Sequence, residues 1–311
     1  MPHVAGMFHR IRCLLVVPAA ALAVHLPVPG SAQEFLTAND VVAMESPAPE
    51  FRIPYGENPL QYGHLRLPEG QGPHPVIAFI HGGCWLAAYD IGHVGLLEQA
   101  FAGAGYAVWS LEYRRVGNDG GGWPGTFLDI AQGVDQLRAL AQEYPLDLDR
   151  VIASGHSAGG QLALWVATRP RIPESSELYS ARPLPIHGVL ALAPAADLET
   201  LQAEAVCGGV VDGLMGGSPE SIPEHYEAAS PMRLIPIDVP QRIVIGAHDR
   251  AWAPGGREYF GRASTMDGAQ VHLMEAPESG HFEMVIPTTS TWPLVLAELD
   301  ALSSEIAQEG R

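Results

Sequence analysis

The chain has no lysine: every one of its 17 basic residues is an arginine, set against 35 acids for a formal net charge of −18. That absence excludes several chemistries. A Schiff-base or pyridoxal-phosphate enzyme needs a catalytic lysine, a Walker-A phosphate loop needs its lysine, and a Ser–Lys dyad cannot be built. Excess positive charge is also missing, which argues against nucleic acid as a partner. Cysteine is scarce, three in 311 residues, and no Cys-x-x-Cys or His-Glu-x-x-His spacing offers a metal site. No Gly-x-Gly-x-x-Gly turn joins the first strand of the alternation described below to its helix. No nucleotide or other cofactor is therefore expected. What remains is chemistry by Ser, His, Asp/Glu, Cys or Arg.

Residues 1–32 contain no acid, and Arg10 and Arg12 precede the apolar run Cys13–Val24. Small residues follow at Gly30-Ser31-Ala32. That is the layout of a secretory signal peptide, with Met1 or Met7 as the start. The run is too short, and too broken by Pro18, to span a bilayer well. The expectation is an exported protein, secreted or periplasmic, without stable membrane insertion once the leader is cleaved. Cleavage after Ala32 would deepen the negative charge by two and leave a catalytic domain over 33–311. Export would leave Cys84 and Cys207, which an oxidising compartment allows to pair. Two separate buried thiols are an equal alternative.

The remaining 47% hydrophobic content falls in short apolar runs. Two strands are expected around Phe51–Pro54 and Gln61–Leu67, then Val76–Ile80, Tyr106–Leu111, Val151–Ala153, Val189–Leu192, Ile243–Ile245 and Val271–Met274. Helical stripes lie between them: Leu96, Leu97, Ala100 and Phe101; Phe127, Ile130, Val134, Leu137 and Ala141; and a last one from Trp292 to Ile306. Near-continuous apolar strands alternating with helices predict an α/β fold with a mostly parallel central sheet and helices on both faces. The Gly/Pro-rich stretch 199–237 breaks the rhythm and is expected to be a small cap over the site. In such sheets ligands bind at the C-terminal strand ends.

Three strand ends carry chemistry. Val151–Ala153 runs into Gly155-His156-Ser157-Ala158-Gly159, a Gly-x-Ser-x-Gly elbow followed by a helix. The small flanking residues allow a sharp turn that pushes Ser157 out over the sheet. Val76–Ile80 runs into His81-Gly82-Gly83-Cys84-Trp85, whose backbone can approach a substrate closely. The N–H groups of Gly83, Cys84 and Ala158 are the candidate oxyanion donors, with His81 holding the loop. The last two strands lead to Asp249 and His281, in the order nucleophile, acid, base that this arrangement requires. His248 is a rival base and Asp197 a rival acid. Trp85, Trp252 and Phe282 are candidate substrate-binding aromatics, and Trp123 also flanks the motifs. Arg114 and Arg115 are read as salt-bridge partners ahead of an anion site.

These motifs resemble the α/β-hydrolases. His-Gly-Gly-x-Trp followed by Gly-His-Ser-Ala-Gly is similar to the hormone-sensitive-lipase-like esterases and to the feruloyl-esterase-like and kynurenine-formamidase-like families, over nearly all of 50–308. Leu111-Glu112-Tyr113-Arg114-Arg115, Gly216-Gly217-Ser218-Pro219, Ala229-Ser230-Pro231 and His281-Phe282-Glu283 resemble the formamidase and small-esterase branch. Cys84 stands where lipase-like members have a third glycine. Gly-Ala-His-Asp replaces their Asp-Pro-Leu acid motif, which moves the likeness toward the feruloyl-esterase-like and formamidase-like branch. The resemblance implies an α/β-hydrolase fold and a serine hydrolase that cleaves a small or medium carboxylic ester. An arylformamidase or another amidase or peptidase using the same triad is the alternative.

Overall fold

A computed structural model describes residues 1–3 and 34–309. The expected leader lies, from residue 4 onward, outside the described residues. Of the described residues, 35–309 form one compact unit. Its strands are β1 (Phe51–Pro54), β2 (Tyr62–Arg66), β3 (His74–Ile80), β4 (Ala107–Leu111), β5 (Leu146–His156), β6 (Gly188–Leu192), β7 (Gln241–Gly246) and β8 (Val271–Ala276). Its helices are α1 (Ala38–Ala43), α2 (Gly95–Gly103), α3 (Gly125–Asp135), α4 (Leu137–Leu140), α5 (Ala158–Thr168), α6 (Leu198–Ala203), α7 (Val206–Met215), α8 (Pro223–Ala229), α9 (Pro231–Leu234), α10 (Ala253–Ala263) and α11 (Trp292–Glu309).

The eight strands form one sheet in the order β1-β2-β4-β3-β5-β6-β7-β8. The first two join antiparallel and the rest are parallel. All eight expected strands are present. β5 begins earlier than its apolar run, because Leu146–Arg150 alternates polar and apolar residues at the start of the strand and gives no continuous signal. The stripe from Phe127 to Ala141 runs through α3 and α4, which meet at Gln136.

Alternate side chains of β3 feed two cores, as the two-residue period of a strand requires. Val76, Ala78 and Ile80 enter one cluster, with α3, α5 and the α6–α9 segment. Ile77 and Phe79 enter the other, with α2 and α11. A sheet buried on both faces needs no polar face, which is why its strands read as apolar runs. Pairing Ile80 with Gly155, and Gly246 with Ala276, brings the C-terminal ends of β3 and β5, and of β7 and β8, level. The motif loops therefore emerge along one edge of the sheet.

The 199–237 segment folds as α6–α9 and packs into the first core, where the indole of Trp165 donates to Ala228 O and the amide of Gln161 donates to Ala229 O. Cys207 of α7 is disulfide-bonded to Cys84 in the loop after β3. The two thiols are thus not separate.

Candidate active site

Ser157 sits between β5 and α5 with φ 56° and ψ −118°. A non-glycine residue holds such a conformation only where its surroundings over-determine it. Here Ser157 N–H donates to Leu192 O (2.9 Å), and Ser157 O accepts from Ala195 (3.1 Å) and Gln161 (3.2 Å). Glycine at 159 is obligatory, because a Cβ there would run into the carbonyl oxygens of Ile80 and His81.

Ser157 lines a cavity of about 410 Å³ together with Gly83, Cys84, Asp249, Trp252, His281 and Phe282. His281 Nδ1 lies 2.7 Å from Asp249 Oδ2. The other carboxylate oxygen, Oδ1, accepts the N–H groups of Ala251 (3.2 Å) and Trp252 (3.0 Å). Asp249 is 5% exposed, so its charge is held by directed bonds in place of water. With Nδ1 engaged, Nε2 is the imidazole nitrogen left for proton transfer.

The rivals have other partners, although His248 also lines the cavity. His248 stacks on Phe35, ring centroids 4.8 Å apart. Asp197 caps α6, accepting from Glu199 N and Thr200 N at 3.1 and 3.3 Å. Two further imidazoles, His93 and His156, line the cavity. Burial, then the neighbouring His81, pulls His93 down to about 4. Burial, then the charge of His281, pushes His156 well below its ordinary value, although its Nε2 also contacts His281 O at 2.9 Å. Both stay neutral at pH 7.

Gly83 and Cys84 line the cavity, and Ala158 begins α5, where the first N–H groups have no intrahelical acceptor. Among the described residues, none accepts a hydrogen bond from Gly83 N–H or Cys84 N–H. Trp252 and Phe282 face the cavity, and the Trp252 ring stacks on His281 at 5.3 Å. Trp85 does not. It is 1% exposed and its indole donates to Gln161 Oε1 at 3.1 Å, so the expectation that it binds substrate is corrected. A left-handed backbone at Cys84 and Trp85 (φ 53° and 52°) turns that side chain into the core. Trp123 is likewise remote, stacked on His225 with centroids 3.9 Å apart. No residue of 199–237 lines this cavity, although Cys207 of that segment is bonded to Cys84 on its wall. Its apolar walls come instead from Phe35, Ala38, Val41, Val42, Phe282 and Val285. The N-terminal contribution gave no sequence signal, since six residues are too few to show a period.

Beneath the loop after β3 lies a buried charged cluster. Arg115 (1% exposed) is paired with Glu112 (0%) and lies 3.0 Å from His81 Nε2. His81 Nδ1 contacts Gly82 O at 2.7 Å, and Tyr113 donates to His81 O at 2.9 Å. Glu112 also accepts from Ile91 N at 3.0 Å and Tyr113 N at 2.8 Å. Burial alone would raise the Glu112 carboxyl, but the hydrogen bond and charge of His81, the charge of Arg115 and the Ile91 N–H outweigh it and hold it at about 2. Arg114 is paired with Asp129 at 2.6 Å. Both arginines are thus used internally, as expected.

Arg115→Met would strand the Glu112 carboxylate in the core. It is expected to cost roughly 3–5 kcal/mol in chemical unfolding. Because the folded carboxyl sits below its ordinary value of 4.5, its stabilisation is present above that pH and is lost as pH falls toward about 2. The deficit of Arg115→Met should therefore shrink in acid. A deficit that is the same at pH 3 and pH 7 would contradict this account.

A doubly wound sheet with a serine elbow and a carboxylate-paired histidine at its C-terminal edge defines an α/β-hydrolase. Within that class the chain belongs to the BD-FAE family, whose model matches residues 65–254. It is 23% identical over 305 residues to Esterase LipC of Mycobacterium tuberculosis, covering 88% of this chain and 75% of that one. It is 32% identical over 133 residues to the probable isoprenylcysteine alpha-carbonyl methylesterase ICMEL1 of Arabidopsis thaliana, covering 42% of this chain but only 27% of that relative. Among solved structures, Esterase B from Lactobacillus rhamnosis superposes with a TM-score of 0.71 at 23% identity, over 88% of this chain and 92% of its own, a likeness of fold. Family and relatives place the chain among the carboxylic ester hydrolases. Among the described residues, no helix is long and apolar enough to cross a membrane.

Proposed function

We propose that the protein is an exported serine esterase cleaving small to medium carboxylic esters through an acyl-enzyme. The observation that carries this reading is the Asp249–His281 pair at 2.7 Å on the wall of the cavity that Ser157 also lines. Ser157 Oγ attacks the acyl carbon as His281 Nε2 takes its proton. Asp249 holds the tautomer that leaves Nε2 free and stabilises the imidazolium. The carbonyl oxygen becomes an oxyanion facing the N–H groups of Gly83, Cys84 and Ala158. His281 then protonates the leaving alcohol, and water, deprotonated by the same imidazole, releases the acid and restores Ser157.

Trp252 and Phe282, which flank His281, supply apolar contacts to the substrate. Export rests on the layout of residues 1–32 and is supported by the Cys84–Cys207 disulfide, which persists in oxidising compartments. The ester reading is preferred to the formamide or peptide alternative because the relatives named above are esterases and methylesterases.

The test uses a fluorophosphonate and two substrates. Mass spectrometry is expected to find the label on Ser157. The value of kcat/KM is expected to be at least tenfold higher for p-nitrophenyl butyrate than for N-formylkynurenine, since an alcohol leaves more readily than an amine. A label elsewhere would overturn the nucleophile, and faster cleavage of the formamide would overturn the ester.

A further inference from the structure

The cavity is closed on one side by the chain's own N-terminal segment. Phe35, Ala38, Val41 and Val42 all line it, although the elements bearing Ser157 and His281 lie far along the chain. The segment is anchored at its base. Thr37 and Asp40 form a capping box at the start of α1. Leu36 N–H donates to Glu283 Oε1 at 2.6 Å, while Gly280 N–H donates to Glu283 Oε2 at 2.8 Å. One carboxylate, 7% exposed, therefore ties this strap to the turn that carries His281. Phe35 reinforces the joint, lying so close to Gly280 that a Cβ there would come within 2.9 Å of the Phe35 Cβ.

The strap offers the cavity hydrocarbon. Val41 is 3% exposed and packs in the second core with Val285. Val42, next to it, is 55% exposed at a position that also lines the cavity. Exposed valine on the cavity wall is apolar area that a bound apolar chain would cover, at about 25 cal/mol per Å² removed from water.

We propose that the strap 35–43 is the subsite for the apolar chain of the ester. Ala38, Val41 and Val42 are its specificity-determining residues, and Glu283 is the positioning residue that seats it against the His281 turn. This rests on reading the cavity as an esterase site. The substrate class it selects is esters with an uncharged hydrocarbon chain, ahead of esters of acetate alone.

The experiment compares kcat/KM for p-nitrophenyl hexanoate and acetate on the full chain, with fluorophosphonate labelling of Ser157 in every variant. In Ala38→Trp the indole occupies the subsite, and the hexanoate-to-acetate ratio is expected to fall at least tenfold, since single methylenes in apolar pockets count for about 10-fold or more. Val42→Ser, at an exposed position that folding tolerates, is expected to lower the ratio about threefold by the same argument. Glu283→Gln should lower the ratio through a higher KM for hexanoate, with labelling retained. Ratios within twofold of the parent in Ala38→Trp and Val42→Ser, with Ser157 still labelled, would overturn the subsite. A Glu283→Gln protein that is less stable but has the parent ratio would make Glu283 structural and overturn its positioning role. If the parent neither labels nor cleaves any ester, the esterase reading itself falls, and the subsite with it.

Discussion

Ser157→Ala is expected to lower kcat on p-nitrophenyl acetate by three to six orders of magnitude, as an order-of-magnitude range for loss of a triad nucleophile. Folding should survive. Ser157 is 3% exposed, its backbone bonds to Leu192, Ala195 and Gln161 do not involve the hydroxyl, and alanine needs no new backbone conformation. Far-ultraviolet circular dichroism and the unfolding midpoint check this. Asp249→Asn serves as the companion. An amide can still accept from Ala251 and Trp252, but it no longer selects the Nδ1-protonated imidazole, so a loss of about 10⁴-fold in kcat is expected. Retention of a tenth of the parental activity by Ser157→Ala would end the proposed mechanism.

Cutting the Cys84–Cys207 disulfide is expected to have the next largest effect. The bond closes a loop across a sequence separation of 123, and the chain-entropy argument assigns such a loop about 5 kcal/mol of stability as an upper figure. There is a second consequence. Both half-cystines stand in the left-handed region (Cys84 φ 53°, Cys207 φ 52°), a conformation that costs about 1–3 kcal/mol for a non-glycine residue and persists only under constraint. Cys84 N–H is also a proposed oxyanion donor, and loss of one such donor costs about 10²–10³ in kcat. Cys207→Ser should therefore lower both the unfolding midpoint and kcat, and a reducing agent should do the same to the parent but not to the variant. Loss of stability with unchanged kcat would mean that the buried Arg115–Glu112–His81 cluster holds the loop unaided.

The central strands β3, β4, β6 and β7 were legible because they are buried on both faces and appear as apolar runs, and the elbow because it is local: strand, glycine, serine, glycine, helix. Asp249 and His281 were found at the ends of β7 and β8 for the same reason. Other features were not legible. Trp85 follows the loop glycines and invites assignment to the substrate, yet its left-handed backbone sends the indole to Gln161. The 199–237 segment is Gly/Pro-rich and gave no sign that its Ala228 and Ala229 carbonyls would accept from Trp165 and Gln161.

By itself the amino-acid sequence determined the sheet, the motif loops and which serine, acid and histidine stand at the strand ends, because those depend on residues near one another in the chain. Only the tertiary structure decided how the site is enclosed. The pairing of Cys84 with Cys207, the contact of Arg115 with His81, and the bond from Leu36 to Glu283 across a separation of 247 residues arise between segments far apart in the chain. No local pattern encodes them. The lack of lysine, which first narrowed the chemistry, has a structural counterpart in those contacts. The planar guanidinium, more weakly hydrated than an ammonium, suits buried pairing, and Arg115, 1% exposed beside Glu112, serves that purpose here.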